Sequence, residues 1–349
     1  MKTILITGGA GFIGSNFIIY FLGKYEEYFI VNLDKLTYAG DLKNLMELDG
    51  HQRYKFINGD ICDKDLVEYI FREFNVKGVI HFAAESHVDN SIVRPEDFIR
   101  TNVLGTFVLL NAARNIWLDK PFSYKNEYAG SRFHHISTDE VYGSLGKEGF
   151  FTESTPYAPN SPYSASKASA DMLVKSYRNT YGLNTVITNS SNNYGPRQHD
   201  EKLIPKIIRN ALNGEPIPIY GDGENVRDWL YVEDQCKAID MVFHKSRAGE
   251  TYNIGVMNER KNIEVVNIIC GILDELRPRN DGNSYKKQIS FVEDRPGHDR
   301  RYAVDPSKIR NEFGWEAEKS FESGIFKTVN WYLEKYSTKV NALNRSQQL

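Results

Sequence analysis

The sequence predicts an α/β protein, a doubly wound (Rossmann) parallel sheet with a smaller α/β substrate domain toward the C-terminus. Three observations predict it. The run Lys2-Thr3-Ile4-Leu5-Ile6 leads into the glycine cluster of residues 7–14 and then a helix start at Phe12-Ile13. Strand and helix patterns alternate from there to Asn189, which is the signature of parallel strands joined by crossover helices. From about Ser190 the rhythm shortens and tight turns appear, as in Tyr220-Gly221-Asp222-Gly223-Glu224-Asn225.

In chain order, the first strand-to-helix turn fits a dinucleotide fingerprint through Gly9, Gly11 and Gly14. One glycine allows the turn, one admits a pyrophosphate to the backbone, and one lets helix pack on strand. The pyrophosphate then rests on the helix N-terminus. A second strand, Tyr28-Phe29-Ile30-Val31-Asn32-Leu33, ends at Asp34. A carboxylate there binds ribose hydroxyls and repels a 2′-phosphate, which favours NAD over NADP; a turn cap is the plainer alternative. Next come the strand Tyr54-Lys55-Phe56-Ile57, a helix near 64–74, and the strand Gly78-Val79-Ile80-His81-Phe82. A long helix near 96–114, the strand Phe133-His134-His135-Ile136-Ser137, a helix carrying Tyr163 and the strand Asn184-Thr185-Val186-Ile187-Thr188-Asn189 follow. This gives a nucleotide-binding domain over 1–189. Residues 190–349 form mainly the second domain, with some segments returning to the first sheet, and a polar tail after Thr338 is expected to fray.

The 349 residues, 41% hydrophobic and 26% charged, suffice for a large core, and a net charge of −3 offers no basic face for nucleic acid. Cys62, Cys236 and Cys270 are too scattered for a disulfide framework or zinc site, and the histidines show no metal spacing, so no metal is expected. No apolar run approaches the length of a membrane span and no leader pattern opens the chain, so a cytoplasmic location without membrane contact is expected.

The chemistry is expected at the carboxyl ends of the strands, where open α/β sheets bind ligands. Tyr163 and Lys167 are four residues apart, so on a helix they share a face and an ammonium can stabilise a phenolate base. One strand end carries Ala83-Ala84-Glu85-Ser86-His87 and the next Ser137-Thr138-Asp139-Glu140-Val141-Tyr142-Gly143. Two adjacent acids with separated pKa values can divide general-acid and general-base work. Taken singly, such acids are commonly loop caps and such Tyr/Lys pairs surface pairs; their joint occurrence at successive strand ends favours catalysis.

These stretches, with Leu33-Asp34-Lys35-Leu36-Thr37-Tyr38-Ala39-Gly40 and Ser191-Asn192-Asn193-Tyr194-Gly195-Pro196, resemble the extended short-chain dehydrogenase/reductase superfamily over residues 1 to about 336. Within it, Thr138-Asp139-Glu140 resembles the nucleotide-sugar 4,6-dehydratases. The resemblance implies a catalytic set of Thr138, Asp139, Glu140, Tyr163 and Lys167. Tyr163 takes the C4 hydroxyl proton, Glu140 the C5 proton, and Asp139 protonates the C6 oxygen. It implies NAD contacts from Gly8, Gly11, Phe12, Ile13, Gly14, Asp34, Lys35, Leu36, Thr37, Gly40, Asp60, Ile61, Phe82, Ala83, Ala84, Ser86, Thr101, Tyr163, Lys167 and Asn193.

Substrate contacts implied are Ser86, Thr138, Asn192, Lys202, Leu203, Pro218, Ile219, Tyr220, Arg227, Asn262, Arg295 and His298. The two arginines suit a pyrophosphate, a surface salt bridge being the plainer alternative. Residue spacing does not distinguish nucleotide bases or hexoses, so dTDP-glucose is implied as substrate by the resemblance alone, as is a deoxysugar product of the kind that leads to rhamnose. A homodimer through helices near 98–114 and 162–181 is implied in the same way. Another nucleotide-sugar dehydratase or 4-epimerase, a carbonyl reductase with external substrate, and a non-catalytic NAD-binding protein stay open at this point.

Overall fold

A computed structural model describes residues 1–346, with side chains described through residue 337. The chain begins β1 (Lys2–Thr7), α1 (Phe12–Lys24), β2 (Tyr28–Asp34), β3 (Tyr54–Asn58), α2 (Lys64–Glu73) and β4 (Val76–His81). Then come α3 (Val88–Val93), α4 (Pro95–Phe98), a π-helical stretch (Ile99–Gly105), α5 (Thr106–Trp117) and a small hairpin of β5 (Leu118–Lys120) and β6 (Ser123–Tyr124). Strand β7 (Arg132–Thr138), α6 (Pro162–Tyr181), β8 (Thr185–Ser190) and β9 (Asn192–Tyr194) complete the first half. The second half runs α7 (Leu203–Asn213), β10 (Ile217–Tyr220), β11 (Val226–Tyr231), α8 (Val232–Lys245), β12 (Thr251–Ile254), β13 (Glu259–Lys261) and α9 (Asn262–Leu276). It closes with β14 (Ile289–Val292), α10 (Ser307–Phe313) and α11 (Phe321–Ser346), whose backbone continues past Thr338, where a frayed tail was expected.

The central sheet has seven parallel strands in the order β12-β8-β7-β4-β1-β2-β3. Strands β1 to β3 step one way and β4, β7, β8 and β12 the other, so the winding reverses between β1 and β4. The crevice outside their carboxyl ends is where such sheets hold ligands. Strands buried on both faces explain the near-continuous apolar runs that made them legible.

One face packs Val67, Ile70 and Phe71 of α2, Leu109, Ala113 and Trp117 of α5, and Val174 and Tyr177 of α6 against Leu5, Val31 and Val79. The opposite face packs Phe17, Ile18 and Phe21 of α1 with Val232, Cys236, Ile239 and Phe243 of α8 over Ile4, Ile6, Ile30 and Ile80. A separate core joins Ile204, Ile207 and Ile208 of α7, Val265, Ile269 and Leu273 of α9, and Phe321, Ile325 and Val329 of α11.

One expectation changes. The helix anticipated near 96–114 is interrupted by the π-helical stretch, because the Asn102 side chain turns inward to bond both the backbone N–H of Glu85 (2.8 Å) and its carbonyl (3.0 Å), with Ser166 at 2.8 Å. Such insertions concentrate at functional sites. The seventh strand, β12, comes from Thr251–Ile254 and pairs with Ile187–Ser190, so a segment of the second half joins the first sheet, and α8 packs on its face.

Candidate active site

The turn after β1 is shaped by close backbone approaches. Gly8 has φ +71°, and a Cβ there would lie 2.6 Å from the backbone of Ala83; a Cβ on Gly14 would lie 2.4 Å from the Gly8 carbonyl oxygen. Gly9 packs against Asn32, whose Oδ1 accepts its N–H at 3.1 Å, so it supports the turn from behind, and Gly8 lines the cleft instead. At Gly11, the N-cap of α1, an added Cβ would meet only the Gly8 oxygen, at 3.3 Å. Helix α1 has no side-chain cap and no acid in its first turn, which leaves its leading N–H groups available to an anion. Asp34 stands beside this cradle. Its carboxylate accepts the N–H of Ala10 (2.9 Å) and of Leu36 (2.8 Å), while burial pushes its pKa up.

The cleft that opens here is lined by Gly8, Gly11, Phe12, Ile13, Gly14, Asp34, Lys35, Thr37, Gly40, Asp60, Ile61, Phe82, Ala83, Ala84, Ser86, Thr101 and Asn193. It continues to Thr138, Asp139, Glu140, Tyr163, Lys167, Asn192 and Lys202. Leu36 lies just off this lining. Its left-handed φ of 54° and its N–H bond to Asp34 shape the loop that carries its neighbours. Lys35 bonds Asp60 at 2.9 Å across the cleft rim. A glycine cradle, free helix N–H groups and a ribose-height carboxylate fit a dinucleotide.

Past β7 the chain makes a 3₁₀ turn over Asp139–Tyr142, placing two acids at the strand end. The Thr138 hydroxyl donates to Asp139 Oδ1 and accepts the Glu140 N–H, both at 3.3 Å, and bonds the Tyr163 side chain. The acids sit in different fields. Burial, then Glu140 and Asp228, push Asp139 well above the usual carboxylate range, and its buried Oδ2 has no hydrogen-bond partner among the described residues. Burial also raises Glu140, but Arg295, Arg227 and Lys202 oppose that rise. Asp139 is therefore the better proton donor and Glu140 the better acceptor.

Helix α6 is launched by a capping box between Ser161 and Ser164 with Pro162 in its first turn, which sets Tyr163 and Lys167 one turn apart. Tyr163 packs edge-on against Phe98, and burial followed by Glu140 raises its pKa well above normal, opposed by Thr138. Among the described residues, Lys167 makes no direct bond to Tyr163. Its Nζ donates to the Ile136 carbonyl at 2.8 Å and lies 3.4 Å from His135 Nε2. Burial lowers its pKa to about 8, against the attraction of Asp171.

Of the residues expected to hold a nucleotide sugar, Ser86, Thr138, Asn192 and Lys202 line the cleft, whereas Leu203, Pro218, Ile219, Tyr220, Arg227, Asn262, Arg295 and His298 stand outside that lining. Lys202, at the start of α7, donates to the Ser86 carbonyl at 2.8 Å, and Leu203 follows it. Arg295 bonds Asp89 at 3.0 Å, as does the Tyr220 hydroxyl at 2.9 Å, while His298 pairs with Asp294. Arg227 is buried; it donates to the carbonyls of Val226 (2.8 Å) and Asp299 (2.9 Å) and lies over the Tyr302 ring. Arg227 is therefore no surface pair, whereas Arg295 forms a partly exposed salt bridge with Asp89. Asn262 begins α9, and its buried Oδ1 has no protein partner. Strand alternation sends Ile219 into the core with Ile217, leaving Pro218 and Tyr220 on the outward face, so the side chain of Ile219 makes no wall of the site.

Gln198, His199, Glu201, Ser190, Ser191 and Glu85 also line the cleft; Glu85 and Ser191 fall within the stretches quoted from the sequence, where no role was assigned to them. Asp171 is missed too, yet it was findable. It sits four residues beyond Lys167 on the same helix face.

Fold and site together define a dinucleotide-dependent enzyme of the extended short-chain dehydrogenase/reductase class. Residues 5–328 match the family described as GDP-mannose 4,6 dehydratase. A dTDP-glucose 4,6-dehydratase of Xanthomonas campestris pv. campestris is 54% identical over 349 residues, covering 100% of this chain and 98% of the relative. One from Salmonella typhimurium is 54% identical, covering 95% of this chain and 92% of its own. The crystal structure of a dTDP-glucose 4,6-dehydratase from Bacillus anthracis in complex with NAD has a TM-score of 0.83 and 48% identity, covering 96% of this chain and 97% of that one. A UDP-glucose 4-epimerase of Thermotoga maritima reaches the same TM-score of 0.83 at 28% identity, covering 96% of this chain and 100% of that one, so the fold is shared beyond dehydratases. The chain belongs to the 4,6-dehydratase family, and within it to the dTDP-glucose 4,6-dehydratases.

Proposed function

We propose that the chain converts dTDP-glucose to dTDP-4-keto-6-deoxyglucose and water, with NAD held in the glycine cradle by Gly8, Gly11, Gly14 and Asp34. The observation that carries this is the pair Asp139 and Glu140 at one strand end: burial raises both carboxyls, Asp139 well above its usual range, while Arg295, Arg227 and Lys202 restrain the rise of Glu140. A 4-epimerase has no use for two acids there. When bound, NAD supplies the hydride acceptor and donor that joins oxidation at C4 to reduction at C6.

Tyr163, oriented by Thr138, removes the C4 hydroxyl proton. With C4 a ketone the C5 proton is acidic, and Glu140 takes it. Asp139, kept protonated by burial and by Glu140, gives its proton to the departing C6 oxygen, which leaves as water. Arg227 and Arg295 supply positive charge beside these acids, and Arg295 exchanges Asp89 for the substrate diphosphate.

Incubation with dTDP-glucose and no added cofactor tests this reading. Loss of about 18 Da, one water, without external NAD consumed supports it; an unchanged substrate mass with NAD present in the protein rejects it.

Residues 1–189 serve the cofactor and most of the chemistry, and 190–349 mainly the nucleotide sugar. The apolar strip of exposed Ile99, Leu104 and Phe107 with half-buried Val103 and Leu173 suits a homodimer through these helices. Among the described residues no helix is long and apolar enough to cross a membrane, which agrees with a cytoplasmic location.

A further inference from the structure

The dehydratase reading leaves a proton imbalance. In each turnover Tyr163 gains the C4 hydroxyl proton, and Asp139 loses one to the departing water. Glu140 receives the C5 proton and returns one to C5. Before the next turnover one proton must leave the Tyr163 side and one must reach Asp139. Lys167 stands beside Tyr163, but its ammonium is turned away from the phenol, toward a set of buried groups that the chemistry above does not use.

His135 Nε2 lies 3.4 Å from Lys167 Nζ and 3.3 Å from Asp171 Oδ1. Asp171 Oδ2 accepts the hydroxyls of Tyr157 at 2.9 Å and Ser137 at 3.0 Å. The Tyr157 oxygen in turn accepts from Lys175 Nζ at 3.2 Å. Lys167, His135 and Asp171 are fully enclosed, whereas Tyr157 and Lys175 are half-buried. Lys167, Asp171 and Lys175 are four residues apart along α6, so one helix stripe runs from the cleft to the surface.

We propose that His135, Asp171 and Tyr157 form a proton outlet from the cleft, joining Lys167 to the solvent beside Lys175. A proton leaving the Lys167 ammonium passes to His135 Nε2 and on to Asp171 Oδ1. The resulting carboxyl turns about its Cβ–Cγ bond to bring the protonated oxygen to Tyr157, and its proton passes to the Tyr157 oxygen as that hydroxyl releases its own to water. Each hop moves one proton between neighbouring heteroatoms; no bond to carbon changes and no electron is transferred.

The charges around Lys167 and Asp171 suit transfer, while burial and then Asp171 push the Tyr157 hydroxyl up, so it releases a proton only as it receives one. Burial brings Lys167 down to about 8 and Asp171 up to about 6, so donor and acceptor lie about two pKa units apart where ordinary values differ by more than six. The groups facing Asp171 are Lys167 and Lys175 on its own helix, His135 and Ser137 on β7, and Tyr157 from the preceding loop. His135 faces Lys167, Asp171 and the ring of His81, and burial keeps it neutral. Asn189 braces Tyr157 from β8, with Nδ2 at 3.4 Å from its hydroxyl.

Asp171→Asn keeps an acceptor for Ser137 and Tyr157 but cannot carry a proton, and Tyr157→Phe cuts the exit nearer the surface. With dTDP-glucose as substrate, each is expected to lower kcat at least tenfold with KM within twofold of the parent. Each should also raise the solvent deuterium isotope effect on kcat, and formate or imidazole in the buffer should restore part of the rate. Parent-like kcat and isotope effect in both folded variants would overturn the outlet, as would a loss of rate that follows thermal stability and ignores added buffer. If Asp171→Asn does not fold, Tyr157→Phe decides alone. The proposal rests on the dehydratase reading, and the unmodified protein separates the two: no product from it rejects that reading, while normal product from it and from both variants rejects only the outlet.

Discussion

Gly11 and Gly14, three residues apart in one turn, are predicted to fail in opposite ways when a single methyl is added. At Gly14 the new Cβ would lie 2.4 Å from the Gly8 oxygen and 2.8 Å from the Gly9 Cα, both backbone atoms that cannot rotate away. Overpacking of this kind costs about 1–3 kcal/mol. Gly14→Ala should therefore lower the urea midpoint of the NAD-free protein and its Tm by several degrees. At Gly11 the only neighbour is the Gly8 oxygen at 3.3 Å, which a shift of a few tenths of an ångström relieves, so Gly11→Ala should leave stability within about 0.5 kcal/mol.

The methyl at Gly11 instead stands over the free N–H groups of α1. Loss of one charge-assisted hydrogen bond to a pyrophosphate, about 1.5–3 kcal/mol, weakens NAD roughly 10- to 100-fold. Urea melts of the apo proteins and NAD released from denatured holoprotein, read by absorbance, give both quantities. A Gly11→Ala protein that is as destabilised as Gly14→Ala, or that keeps its full NAD complement, refutes the reasoning.

Tyr163→Phe should lower kcat by about two powers of ten or more in the product assay, without loss of fold. In deuterium oxide, Glu140→Gln should lose exchange at C5 of the substrate, whereas Asp139→Asn should retain exchange and lose water elimination; retained exchange in Glu140→Gln reverses the assignment of base and acid. Asp171 has a folded pKa of about 6 against an unfolded 3.8, so the folded state binds the extra proton and stability contributed by this group falls as pH rises from about 4 to 6. The cost above pH 6 is about 3 kcal/mol, and urea melts at pH 4.5 and 7.5 should show wild type gaining on Asp171→Asn at the lower pH. Phe107→Glu puts a charge into the exposed apolar strip and should sediment as a monomer at micromolar concentration; an unchanged sedimentation coefficient at dimer mass places the interface elsewhere.

Strands β1, β2, β4, β7 and β8 were legible because they are largely buried on both faces, which writes them as apolar runs such as Ile4-Leu5-Ile6 and Val79-Ile80, whereas β12, Thr251–Ile254, was not assigned from the sequence. The acids and Tyr163 were legible because the fold fixes where strand ends open. The break in the helix at Asn102 was not, since it depends on a side chain reaching the Glu85 backbone seventeen positions away in sequence. Lys167 was expected to touch the phenol from its spacing alone, but spacing sets the helix face and not the rotamer, and the Ile136 carbonyl and His135 claim its Nζ. Ile219 was assigned to the substrate wall from resemblance, and the alternation of β10 turns it inward.

Strand β12 has a consequence for how the protein is made. The edge of β8 stays unpaired until Thr251–Ile254 emerge, and α8, which covers one sheet face, emerges only shortly before them. At 5–20 residues per second the ribosome takes roughly 3–12 seconds to add the sixty or so residues in between. During that interval the nascent chain shows an open edge and an uncovered patch around Ile4, Ile6 and Ile80, which is the form that chaperones bind and that aggregates if they do not.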